Sequence, residues 1–314
     1  MSRFHAEQYK PEGGFSVIGL AILLVALCAA GVGLGWLASF LSQWFYLIVL
    51  FPAGIGFCLL LVGLVVGQHT KMRSRSLSVL LGLISSGVAM LSMHYFDYQR
   101  FLHERQELLK EVAPLDNLPA GDVDAQTAEA LQHLKQIRAV ESFPSYLNQE
   151  ATQGVTISRL GKDGMNLGYV GTWIYWGFEL VVVAAMVTLG LVGGAAEPFC
   201  SACDSWKQAR RLGTLQRKDA DVAALLSNGE IERLQEHDPA PTGGNLILTA
   251  AVCPNCKSDS PIAVKLEEVT KNEKGEESKN KLIHLVYPGE ALAAFEALFA
   301  NKPELTEEKG AAAP

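Results

Sequence analysis

Four long apolar runs constrain this chain more than any other feature. They are Phe15 to about Ser42, about Trp44 to Val66 with Pro52 in its first turns, Leu77 to Tyr95, and about Val170 to Gly194. About 20 apolar residues in a helix are enough to cross roughly 30 Å of hydrocarbon, and each run reaches or nears that length. Residues 1–95 carry only seven charged side chains: Arg3, Glu7, Lys10, Glu12, Lys71, Arg73 and Arg75. The whole chain of 314 residues is 49% hydrophobic and 19% charged, against about 25% charged in a soluble domain. One part is therefore solvated by lipid, and the charged residues 96–168 and 195–314 by water. The first run is too long for the apolar core of a signal peptide and is followed by more apolar sequence. The net charge of −7, with no basic aqueous part, argues against a nucleic-acid partner.

Orientation follows from lysine and arginine in the short connections. Arg3 and Lys10 precede the first run, Lys71, Arg73 and Arg75 separate the second from the third, and Lys207, Arg210, Arg211, Arg217 and Lys218 follow the fourth. With four spans all three basic segments fall on one side, so the expectation is a bacterial inner (cytoplasmic) membrane protein with both termini in the cytoplasm. The link between the first two spans, near Ser42 and Gln43, is short enough for a tight hairpin. Trp173, Tyr175 and Trp176 suit an outer aromatic belt.

Gly31/Gly35, Gly63/Gly67 and Gly82/Ser86 repeat at the spacing that lets transmembrane backbones approach closely. They serve packing within one bundle, or contact with a second copy or another membrane subunit. Glu179 is an ionisable residue within the fourth span, and a charge there needs a reason. It lies about 12 Å along the span at about 1.5 Å per residue. His94 closes the third span on the same side and is a candidate partner. Glu179 is then either a proton, ion or subunit-contact site, or a carboxyl paired inside the bundle or near enough to the interface to be hydrated.

The 96–168 segment reads as an outer helical domain. The third span continues as a helix through Phe96–Val112 and stops at Pro114. A second helix carries Leu131, Leu134, Ile137 and Val140 on one face. Pro144 breaks the pattern. A short piece follows around Tyr146–Gln153, then extended Val155–Leu160. His103 and His133 stand apart and read as surface residues.

Six cysteines are present. Cys28 and Cys58 sit in apolar runs and read as small hydrophobes. The other four form two Cys-x-x-Cys pairs, Cys200/Cys203 and Cys253/Cys256. Two such pairs supply four thiolates to one tetrahedral metal, and a reducing cytoplasm favours metal over disulfides. Zn²⁺ in a structural site is the leading expectation. Iron in a rubredoxin-like site and a dithiol redox role are the alternatives, although neither pair has the βαβ context a redox motif wants. Strands are expected at Leu246–Val252, Ile262–Val269 and Lys281–Val286, helices in the basic stretch after Cys203 and at about Ala220–Glu236, and a last helix over Pro288–Ala300. The two knuckles, with strands on the second, resemble a zinc ribbon. Two features depart from that family: 49 residues separate the pairs, which implies a helical insertion, and Lys257 follows Cys256 where glycine is common.

The expected fold is a mostly α membrane protein: a four-transmembrane-helix bundle, an outer helical loop domain and a C-terminal cytoplasmic α+β zinc-ribbon-like domain. The divisions are 1–95, 96–168, 169–194, 195–300 and a charged, then Ala-rich tail at 301–314. Similar architecture occurs in uncharacterised bacterial membrane proteins with zinc ribbons, which implies no activity. No nucleophile–base set, phosphate loop or cofactor fingerprint is present. The expectation is therefore a non-enzymatic scaffold, accessory or sensor subunit, with the lipid bilayer and membrane-protein partners or further copies around it. A small transporter or channel component using Glu179, and a membrane thiol redox protein, are the other classes.

Overall fold

The computed structural model describes residues 4–44, 50–112, 140–157, 164–216, 221–237, 239, 245–256, 259–271 and 276–300. In chain order the elements are β1 (Glu7–Gln8), α1 (Val17–Leu41), α2 (Leu50–His69), α3 (Arg75–Val112), α4 (Phe143–Gln153), β2 (Thr156–Ile157), β3 (Met165–Asn166) and α5 (Gly168–Gly194). They continue with β4 (Phe199–Cys200), β5 (Ser205–Trp206), β6 (Gln208–Leu215), α6 (Val222–Ser227), a 3₁₀ helix (Ile231–His237), β7 (Leu246–Val252), β8 (Ile262–Lys271), β9 (Glu277–Tyr287) and α7 (Ala291–Ala300). The chain divides into two compact units, one of residues 14–195 and one of residues 1–13 with 196–314.

The first unit is helical. Among the described residues four helices are long and apolar enough to cross a membrane: Val17–Ser42, Leu50–His69, Arg75–Leu108 and Gly168–Gly194. Ser16 caps α1, its hydroxyl accepting from the Gly19 amide. Pro52 sits in the first turn of α2, where its missing N–H costs no helical bond. Helices α1, α2 and α5 are apolar around most of their surface, and large side chains such as Val17, Ile18, Val65 and Leu189 are exposed while Leu23, Leu27, Leu59, Val183 and Val187 are buried between helices. That distribution is the one expected of a bundle whose solvent is hydrocarbon.

Small residues let the helices touch. A Cβ on Gly31 would lie 3.2 Å from the Ser85 carbonyl oxygen, and one on Gly35 would lie 2.7 Å from that of Ala89. The Ser39 hydroxyl donates to Asp97 at 2.7 Å. Gly31, Gly35 and Ser39 thus form one stripe of α1 against successive turns of α3. Gly82 receives Thr188 of α5, and Gly63 receives Leu191. These glycines make close contacts inside the bundle. Gly67 meets nothing within 4 Å.

α3 runs unbroken to Val112, as the sequence indicates, and its C-terminal half carries Asp97 bound to Arg100 at 2.6 Å. Tyr98, Val140 and Tyr146 form a small core with Phe101, Leu102, Phe143 and Leu147. Pro144 does not end a helix here. It lies in the first turn of α4, behind a capping box made by Ser142 and Ser145. Leu131, Leu134 and Ile137 of the expected outer helix lie outside the described residues. Within the expected extended stretch Val155–Leu160, β2 pairs with β3 through Thr156↔Asn166 and Ile157↔Met165, and residues 158–160 lie outside the described residues.

The second unit is built on an antiparallel five-stranded sheet, β1-β9-β8-β7-β6. Along β7, Leu246, Leu248 and Ala250 face the core; Leu248 and Ala250 pair with Leu266 and Val264 of β8, and Ile262 continues that buried face. α6, the 3₁₀ helix and α7 cover that face with Leu225, Leu226, Ile231, Leu234, Phe295 and Phe299.

Two expectations are overturned in this unit. The basic stretch after Cys203 is not helical but forms β6, paired with β7 from Gln208↔Val252 to Leu215↔Leu246. Pairing and the burial of Leu215 outweigh a weak helical propensity. The register shifts between Arg211 and Gly213, and Gly213 makes room for the Phe299 ring, from which a Cβ would sit 2.3 Å. Among the described residues, the long gap between the cysteine pairs therefore holds the strands β5, β6 and β7, and its helical part is confined to α6 and the 3₁₀ helix. β1, drawn from the start of the chain, was not anticipated as part of this sheet.

Candidate metal centre

Each cysteine pair sits where a strand turns. Cys200 ends β4, whose hairpin with β5 pairs Phe199↔Trp206 and Cys200↔Ser205. The rings of Phe199 and Trp206 meet edge to face at 5.1 Å and brace the hairpin. The second pair follows β7 directly, and the Asp259 amide closes its turn on the Cys256 carbonyl at 2.9 Å.

The four sulfurs, from Cys200, Cys203, Cys253 and Cys256, all lie within 4.8 Å of one another. Cys200 and Cys256 sulfurs are 3.8 Å apart. With Zn–S bonds of about 2.3 Å, the edge of a tetrahedron is about 3.8 Å, so the cluster is close to the size a tetrahedral ion needs. All four cysteines are free thiols. Cys253 is fully buried and Cys200 nearly so.

The surroundings prepare a thiolate. Burial pushes the Cys253 thiol up, but the backbone amides of Cys256 and Asn255, the Ser205 hydroxyl and the Cys200 thiol outweigh it and bring it down to about 6. Cys256 goes the other way, its hydrogen bond to Cys203 leading, then burial and the neighbouring Cys200 and Cys253 sulfurs. Four sulfurs this close do not all ionise unless a cation joins them. The donor set therefore fits a soft or borderline divalent metal, and four thiolates complete its coordination.

Asp204 adopts φ 49°, the left-handed conformation a knuckle commonly assigns to glycine after its second cysteine. Aspartate tolerates this region better than most side chains do. Sequence reading looked for glycine and passed over Asp204; a Cys-x-x-Cys-Asp pattern was the available signal. Lys257 lies outside the described residues.

Glu179 is 1% exposed on α5, and the Tyr175 hydroxyl donates to its carboxylate at 2.5 Å. The Tyr175 contact was legible as an i, i+4 pair and went unread. His94 lies against the Trp176 ring, with centroids 4.8 Å apart. Each of the two expected partners is thus described with an aromatic residue of α5. Among the described residues the four cysteines are the only group of three or more cysteine, histidine or acidic side chains close enough to hold a metal. No protein-family model, no curated protein and no solved structure matches this chain.

Proposed function

We propose that this chain is a non-enzymatic membrane scaffold, accessory or sensor subunit whose cytoplasmic module is held together by one structural Zn²⁺. The observation that carries the proposal is the convergence of Cys200, Cys203, Cys253 and Cys256 within 4.8 Å. A closed set of four thiolates leaves no open coordination position for substrate, which favours a structural metal over a catalytic one. Zinc is preferred to iron because Zn²⁺ is a redox-inert ion whose usual structural site is a closed tetrahedron of four thiolates.

Orientation rests on two supports. Lys10, Lys71, Arg73 and Arg75 flank the spans on the side assigned to the cytoplasm. In addition, Glu7 and Gln8 pair with Val286 and Leu285, so the two ends of the chain belong on one side of any membrane crossed between them. An even number of spans satisfies that requirement. A Gly310→Cys protein that reacts with an impermeant maleimide in intact cells would sink the cytoplasmic assignment.

The interaction role is tested by purification of the full chain in mild detergent with mass spectrometry. Discrete, stoichiometric membrane partners are expected. A lone protein that moves an ion across vesicles would favour the second reading, a small transporter or channel component, for which the buried Glu179 is the supporting observation.

A further inference from the structure

The residues that precede α1 do more than lead into the membrane. Phe4 and Ala6 pack on the core of the sheet unit. Glu7 and Gln8 extend the sheet beside Val286 and Leu285. The Tyr9 amide donates to the His284 carbonyl at 2.9 Å, and its ring lies on His284 with centroids 4.1 Å apart.

The same segment then reaches the first knuckle. The Tyr9 hydroxyl donates to the Ala196 carbonyl at 3.1 Å, four positions before Cys200. The Ser201 hydroxyl, between Cys200 and Cys203, donates to the Glu12 carboxylate. At the other end, Gly229 has φ +71°, and a Cβ there would sit 1.8 Å from the Phe4 carbonyl oxygen. The backbone around Gly229 is therefore shaped to admit this segment.

The two knuckles are not held alike. Cys253 and Cys256 close the connection between β7 and β8, two central strands of the sheet. Cys200 and Cys203 sit on the short β4–β5 hairpin, whose strands are joined by two residue pairs and which lies outside the five-stranded sheet. The metal must join a firmly held pair of ligands to a weakly held one, and residues 4–12 contact the weakly held one on both sides of Cys200.

We infer that residues 4–12 are a strap that retains the metal: the first knuckle lets go of the ion only when the strap opens. This rests on reading the four cysteines as a metal centre. Coupling between two sites commonly amounts to about 5- to 150-fold in affinity. Both contacts here are exposed or partly exposed, so the low end of that range, about tenfold, is the expected size.

The test uses the full-length protein in detergent, loaded with Zn²⁺ and mixed with excess chelator. Zinc release is timed, and amide exchange of residues 5–10 and of β7–β8 is followed in the loaded state. The double variant Tyr9→Ala/Glu12→Ala should release zinc about tenfold faster, with strap amides exchanging freely and β7–β8 protection unchanged. Tyr9→Phe keeps the ring and loses the hydroxyl bond to Ala196, so it should give a smaller acceleration even if the double variant folds poorly. Gly229→Ala, which touches no ligand, should act in the same direction. Freely exchanging strap amides with wild-type release would overturn the strap while leaving the metal centre intact. A wild-type protein that binds no zinc would overturn the metal centre itself.

Discussion

Cys253 carries the centre at the level of single residues. It is fully buried, follows β7 without a break, and receives the Cys256 amide at 3.5 Å. Replacing it with serine keeps the size but removes the soft ligand. Structural zinc sites contribute about 10–16 kcal/mol of apparent binding energy near pH 7, whereas a domain's net stability is about 5–15 kcal/mol. Cys253→Ser, and likewise Cys200→Ser, Cys203→Ser or Cys256→Ser, should therefore leave the membrane helices inserted and make the sheet unit protease-sensitive. Limited proteolysis of membranes checks this; a resistant unit in any one variant argues against a shared ion. Glu179 supports a second expectation. With 1% exposure and the Tyr175 hydroxyl on it, Glu179→Gln should be tolerated, whereas Glu179→Lys should reduce the folded yield. Wild-type abundance of Glu179→Lys in membranes would place the residue at water. The cysteine cluster was legible because two Cys-x-x-Cys pairs have few structural uses. The Ser205, Asp204 and Glu12 contributions were not, because each depends on a contact or backbone angle that spacing does not encode.

Elements divide into those set by pattern and those set by pairing. Helices α1, α2, α3 and α5 could be read from apolar length, since the bilayer forces backbone bonds to close within each span. β6 could not, because its pairing with β7 is decided 30 and more positions away and its basic outer half resembles a surface helix. β1 has two residues and no pattern of its own. The small-residue stripe permits a sharp comparison of neighbours. Gly35→Leu would drive a side chain into the Ala89 and Met93 backbone, whereas Gly33 has nothing within 4 Å. Overpacking costs about 1–3 kcal/mol, so Gly35→Leu should lower the thermal midpoint of the detergent-solubilised bundle and Gly33→Leu should not. Equal midpoints would contradict the α1–α3 interface.

His284 on β9 gives the sheet a pH dependence. Burial, then Lys281 and Lys265, lower its pKa from 6.5 to about 4, with Glu267 opposing. The unfolded chain thus takes up this proton at higher pH than the folded one. Stability from His284 is fully present above about pH 6.5 and declines as pH falls towards 4. His284→Gln should flatten that part of the stability profile, measured by chemical denaturation of the purified protein between pH 7 and pH 4.5. An unchanged slope would remove His284 from the account.

At the scale of the whole molecule, one chain has been divided between two solvents, and each part solves its own burial problem. The helical unit buries glycine and serine between apolar helices, because hydrocarbon offers little gain for burying leucine. The sheet unit buries Leu, Ile, Val and Phe behind one sheet face, as a water-solvated fold does. Its ligands come from two distant stretches of sequence, and its edge strand comes from the far end of the chain. Composition made the division between solvents visible, and the cysteine pairs marked the chemistry. The closure of the sheet by residues 7–8 lay beyond both signals. The central claim is that four thiolates hold one structural zinc in this unit. It is tested most directly by the metal-to-protein ratio of full-length chain purified under reducing conditions. The account predicts about one zinc per chain, lost together with protease resistance when any of the four cysteines is replaced. A metal-free protein whose sheet unit remains folded and protease-resistant would contradict it.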